Sequence, residues 1–259
     1  MKRLIRLSVL FLIGAISVGS VSLITPARAE TLVGSNVDNR ITVALRVRPA
    51  ASQGRLPAPW QVNPMPKGPF KGANLFVVFI DRLLNQDAKG KLADGGAFRI
   101  VAIGVPAKHP QTGKSALFVT RIYGPHEGPG PYKNSVKAMV RREATLQGAN
   151  LEPGAGRELW KVQDSAGGIL EFRMAYQRAV PSRKKKKSKL HSAVDPNFFR
   201  IYQYDQIMDV VKSTPANINR VSDYQLRVTV SELRKLFDGT EQLVGIALIP
   251  SYRRQTFLP

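Results

Sequence analysis

The sequence predicts a mainly β protein of α+β character, folded as a sandwich or closed barrel with a few peripheral helices. Three observations carry that expectation. Short apolar or alternating runs recur at close spacing along most of the chain. Helical signals are confined to two short segments, 81–84 and 232–237. The 259 residues include no cysteine, so the fold rests on a packed core, and this length is enough to bury a large one.

Taken in order, residues 30–40 read as a leader to the first strand, Ile41–Val47 (ITVALRV), which alternates as a half-buried strand does. Pro49–Pro69 carries six prolines and reads as an extended connector. Residues 30–66 therefore form an extended N-terminal segment, and 67–259 a single domain. Leu75–Ile80 is an apolar strand, followed by a short helix over Asp81–Leu84. Phe98–Val105 and Ala116–Tyr123 read as buried strands. Val136–Ala144 reads as another, although Lys137, Arg141 and Arg142 complicate its alternation. Gly168–Ala179 and the aromatic Phe198–Tyr204 (FFRIYQY) are strand-like, and Gln225–Val230 alternates cleanly. Ser231 suits an N-cap for a helix over Glu232–Phe237, with Gly239 as its stop, and Leu243–Ile249 closes the series.

The first 29 residues have the layout of an export signal. Lys2, Arg3 and Arg6 precede an apolar Leu7–Ile24, and Pro26 precedes Ala27-Arg28-Ala29, an A-x-A cleavage pattern. The apolar stretch approaches membrane-spanning length, but its serines, its glycines and the cleavage pattern favour removal after Ala29. The expected location is periplasmic or secreted. The net charge of +21 favours anionic partners: lipid head groups, acidic glycans or a small carboxylate. Nucleic acid fits the charge but not the export signal, and no aromatic–basic interleaving of the base-stacking kind is present. Arg183, Lys184, Lys185, Lys186, Lys187 and Lys189 form the sharpest charge run. They read as a solvated loop between two strands, or as a dock for an anionic membrane or polyanion.

Several chemistries are excluded. No G-x-S-x-G elbow occurs, and His126-Glu127 lacks the second histidine of a zinc motif. His109, His126 and His191 stand far apart and read as surface residues, so neither metal nor cofactor is expected. Gly128-Pro129-Gly130 is a rigid turn, since its prolines remove the amide donors a phosphate cradle needs.

Four segments, in this order, resemble the acetoacetate decarboxylase family: Gly68-Pro69-Phe70-Lys71, Gly128-Pro129-Gly130-Pro131-Tyr132-Lys133-Asn134, Ala155-Gly156-Arg157-Glu158-Leu159 and Pro196-Asn197-Phe198-Phe199. The resemblance implies a closed antiparallel β cone around an apolar cavity, with Arg82, Tyr132, Asn134, Arg157, Glu158, Trp160 and Asp164 as cavity residues. It also implies a lysine that attacks a β-keto acid as a Schiff base, which needs an unprotonated amine. This chain departs from that pattern. The lysine position and its neighbour fall on Asp164 and Ser165, one expected carboxylate on Asn134 and a second near Val101. Lys161 is the only nearby replacement. It stands three residues early, so on a strand it faces away from the family's lysine.

Three functions fit these residues. The first is a binder of a small or lipophilic ligand, a keto or carboxylic acid among the options, in the retained apolar cavity without Schiff-base decarboxylation. The second is a diverged carbon–carbon lyase using Lys161. The third is a basic interaction protein docking on an anionic surface. Oligomeric state stays open.

Overall fold

A computed structural model describes residues 30–259; the expected export signal lies outside the described residues. The strands are β1 (Thr31–Arg46), β2 (Gln61–Val62), β3 (Leu75–Asp87), β4 (Phe98–Lys108), β5 (Ser115–Gly124), β6 (Ser135–Gln147) and β7 (Ala155–Asp164). They continue with β8 (Ile169–Gln177), β9 (Ser182–Ser192), β10 (Phe199–Ser213), β11 (Ile218–Asn219), β12 (Val221–Val228) and β13 (Gln242–Leu258). One short helix, α1 (Pro49–Gln53), and a 3-10 turn over Ser231–Leu233 complete the described elements.

Six strands form an antiparallel wall in the order β10–β13–β1–β3–β4–β5. Beyond β5 the sheet forks. The first half of β5, Leu117–Val119, pairs in parallel with Leu190–Ser192 of β9, and its end, Ile122–Gly124, pairs in parallel with Ser135–Lys137 of β6. Since β9 also pairs with β10, one branch closes a ring of seven strands. The other branch is the antiparallel sheet β6–β7–β8–β12, which covers the opposite face of the wall. The predicted closed β architecture is present, but the sheet is mixed rather than purely antiparallel, because β5 takes two parallel neighbours at the fork.

Wall strands lie between two layers, which is why LFVVFI and LVGIALI are continuous apolar runs rather than alternating ones. On the covering-sheet side, Val43, Leu45, Val77, Val101 and Ile103 pack with Trp160, Val162 and Leu170. Phe79 stacks on Phe172 at 4.7 Å between ring centres and meets Trp160 at 5.4 Å. On the ring side, Ala44, Phe76 and Val244 form a smaller cluster with Phe70 against it.

Four expectations are corrected. Residues 30–40 are not a leader: β1 starts at Thr31 and lies mid-wall, so the division at residue 66 cuts a continuous sheet. Its ring-facing side chains there are polar, Asn36, Asp38 and Arg40, and a polar-in pattern mimics a loop. Asp81–Leu84 is not a helix but the continuation of β3, paired with β1 and β4. The segment after Val230 is a 3-10 turn that tucks Leu233, Leu236 and Phe237 under the core, and Ser231 caps nothing. The lysine run is not a loop. It is β9, with every residue from Ser182 to His191 in register with β10.

Candidate functional site

On the covering-sheet side, β7 turns Glu158 and Trp160 inward, and β6 places Arg142 directly opposite Trp160. Arg142 Nε and Nη2 donate to the two oxygens of Glu158 at 3.0 and 2.7 Å, and Trp160 Nε1 donates to Glu158 Oε2 at 3.1 Å. Arg142 Nη1 reaches across to Asp81 Oδ2 on β3 at 2.9 Å, tying the covering sheet to the wall. Burial alone would lower the Arg142 pKa, but Glu158 and Asp81 push it above the ordinary guanidinium value. Beside this network lies a cavity of about 280 Å³, lined by Ile41 and Leu248 from the wall and by Arg142, Glu158, Tyr176 and Arg178 from the cover. Burial raises the Tyr176 phenol pKa, and the charge of Glu158 raises it further. Among the described residues no lysine lines this cavity.

The positions singled out by the sequence do not meet in one place. Asp164 Oδ1 accepts from the amides of Ala166 and Gly168, at 3.1 and 2.6 Å, and caps the hairpin joining β7 to β8. Lys161 and Arg157 are exposed on the outer face of the covering sheet, Lys161 in register with Arg141 and Glu171. Val101 sits in the apolar core. Arg82 belongs to the ring side, donating to Asp38 at 3.0 Å and to Asn85 at 3.3 Å. Asn134 Nδ2 donates to the Val119 carbonyl at 2.6 Å, while the Tyr132 and Tyr202 hydroxyls lie 2.6 Å apart. Of the proposed cavity set, only Glu158 and Trp160 share the covering-sheet interior.

Lysine burial bears directly on amine chemistry. Among the described residues no lysine is buried, and all are exposed except Lys184 and Lys212, which are half-buried. Within β9, Arg183, Lys185, Lys187 and Lys189 share one face; Arg183 pairs with Asp205, Lys187 with Glu30, and Lys189 lies over Phe199. Lys184 and Lys186 take the opposite face by the period of two.

Sequence reasoning missed Arg142, Tyr176 and Arg178 on one side of the wall, and Asp38 and Arg254 on the other. Arg142 left a trace, as a charge breaking an otherwise strand-like pattern. Tyr176 and Arg178 carried no signal, since which face a strand buries depends on the covering layer.

No protein-family model matches the sequence, and no curated protein sequence matches it. Solved structures do. MppR, an enduracididine biosynthesis enzyme, crystallised with pyruvate, superposes with a TM-score of 0.58 at 11% identity, over 90% of this chain and 91% of its own. The same enzyme with the condensation product of pyruvate and imidazole 4-carboxaldehyde gives 0.55 at 12% identity, over 88% and 87%. An acetoacetate decarboxylase-like enzyme from Sphingomonas wittichii RW1 gives 0.51 at 13% identity, over 89% and 94%. Resemblance in four short segments and superposition over nearly the whole described chain agree: this chain has the acetoacetate decarboxylase-like fold.

Proposed function

We propose that this is an exported protein that binds a small keto or carboxylic acid between the covering sheet and the wall, and that it runs no Schiff-base decarboxylation. The observation that carries the reading is the exposure of the lysines. Amine catalysis near neutral pH needs an ammonium stripped of water or crowded by other cations, and a solvated lysine keeps its proton. Lys161 is exposed, and the position that the resemblance assigns to the nucleophile holds Asp164, occupied in capping a turn.

The cavity beside Tyr176 offers what a small acid requires. Its walls are largely apolar, and Arg178 on its lining makes no ion pair among the described residues. The Tyr176 hydroxyl, which makes no hydrogen bond among the described residues, belongs to the same lining and can donate to a bound carboxylate. MppR binds pyruvate on the same fold. Export after Ala29 fits a scavenging or sensing role better than one in cytosolic metabolism.

Calorimetry with pyruvate and with acetoacetate tests this. Binding by the wild type should weaken roughly tenfold in Arg178→Gln, the loss expected for one charge-assisted hydrogen bond. Failure of the wild type to bind either acid would remove the proposal. A second reading draws on the exposed face of β9, where Lys185, Lys187 and Lys189 stand in a row suited to an anionic membrane surface.

A further inference from the structure

The ring's interior, on the opposite side of the wall, carries an excess of buried positive charge. Successive rows of paired residues cross it. Lys184, Gln206, Tyr252, Asp38 and Arg82 form one row, and Lys186, Tyr204, Arg254, Asn36 and Asn85 the next. Directly paired residues share a face, so these side chains converge. Four arginines gather here: Arg40 over the Tyr252 ring at 3.5 Å, Arg254 over the Tyr202 ring at 3.9 Å, Arg82, and Arg200 beside the Tyr132–Tyr202 pair. Asp38 is the only carboxylate paired with any of them among the described residues, and it serves both Arg40 and Arg82.

Among the described residues Arg200 and Arg254 make no ion pair, and their Nε atoms are buried without a hydrogen-bond partner. Asn36, 3% exposed, has a buried and unpartnered Nδ2. Groups of this kind are costly unless something outside the chain satisfies them. Tyr204 and Arg254 are half-buried and Lys186 is exposed, so this row of the ring opens toward solvent at its Lys186 end.

The geometry points to a second binding site, in the ring mouth, for a small organic dianion, a dicarboxylate or phosphate monoester, held by Arg254 and Asn36 with Lys186 at the entrance. One oxyanion would accept from the Arg254 guanidinium and the Asn36 amide. Tyrosine rings beneath the guanidiniums fix their planes and leave their edges free to donate. Burial opposes ionisation of the Tyr202 hydroxyl, but Arg254 and the hydroxyl of Tyr132 pull its pKa below the usual tyrosine value. The site is independent of the cavity beside Tyr176, from which the wall separates it.

The test is thermal unfolding and calorimetry of the purified full-length protein with succinate, with inorganic phosphate and with chloride at matched ionic strength. Saturable stabilisation by succinate or phosphate but not by chloride is expected, and the tighter of the two identifies the head group. Lys186→Ser, an exposed change that leaves the fold alone, should weaken binding several-fold, and Asn36→Leu or Arg254→Met by tenfold or more. Arg254→Met should also raise the thermal midpoint without anion, because it removes a buried unpaired cation. Wild-type protein that responds no more to dianions than to chloride refutes the site, as does a response surviving in both Asn36→Leu and Arg254→Met. Thermal stabilisation in Lys161→Ser, a remote control, should match the wild type.

Discussion

Replacing Arg142 is the most demanding test of how the two layers hold together. Its side chain is 13% exposed, that of Glu158 4% and that of Asp81 11%, so Arg142→Met leaves two nearly buried carboxylates without their main partner. Asp81 keeps Arg99 at 3.2 Å, whose side chain is half in solvent, whereas Glu158 keeps only the indole of Trp160. Breaking a buried ion pair from one side costs about 3–5 kcal/mol. For a chain of this size, where 1 kcal/mol shifts Tm by roughly 2–4 °C, the midpoint should fall by about 6–20 °C. Urea unfolding of Arg142→Met and of Arg142→Met with Glu158→Leu separates lost attraction from stranded charge. The double variant should recover a large part of the deficit, since an apolar pair of similar volume is often as good as a buried ion pair. A single-variant loss below about 1 kcal/mol would show that this network is solvated and does not clamp the cover to the wall.

Three further outcomes follow from the same packing. Gly156→Ala places a methyl group against the ring and hydroxyl of Tyr176, so it should cost about 1–3 kcal/mol and shrink the cavity, read as lost acid binding in calorimetry. Burial alone would raise the Asp38 pKa, but Arg40, Arg82 and Arg254 outweigh it and hold the carboxyl below its ordinary value. A depressed folded-state pKa gives stability that is present above the unfolded value of about 3.9 and lost as pH falls through the folded one. Urea midpoints measured down the acid range should thus decline less steeply in Asp38→Asn than in the wild type. Lys185→Ser with Lys187→Ser, on the exposed face of β9, should change unfolding stability by only about 0.5 kcal/mol, and any loss of binding to anionic vesicles should be salt-sensitive.

How much of this was legible in the sequence depended on which layer a strand faces. β3 and β13 announce themselves because both of their faces are covered, giving apolar runs that read as strand under any rule. The first half of β1 and all of β9 fail that rule for opposite reasons. In β1 the inward side chains, Asn36, Asp38 and Arg40, are the polar ones. In β9 both faces carry lysine, and only its pairing with β10 and its brief contact with β5 at Leu190–Ser192 make it a strand. Motifs located the fold without locating a single site, since Glu158 and Trp160 face one layer, Arg82 the other, and Lys161 and Arg157 the solvent. The charge run was conspicuous in the sequence, but that alternate lysines would turn toward a nest of buried arginines required the register with β10 and β13.

The central claim, an acetoacetate decarboxylase-like fold that works without an amine nucleophile, meets its most direct test in borohydride trapping. Purified protein is incubated with acetoacetate, reduced and weighed intact, while carbon dioxide release is followed. An unchanged mass and no release above the uncatalysed rate are expected. A stoichiometric adduct on one lysine, with release abolished by its replacement with alanine, would contradict it, and an adduct on Lys161 would also mean that the outward face of β7 turns inward in solution.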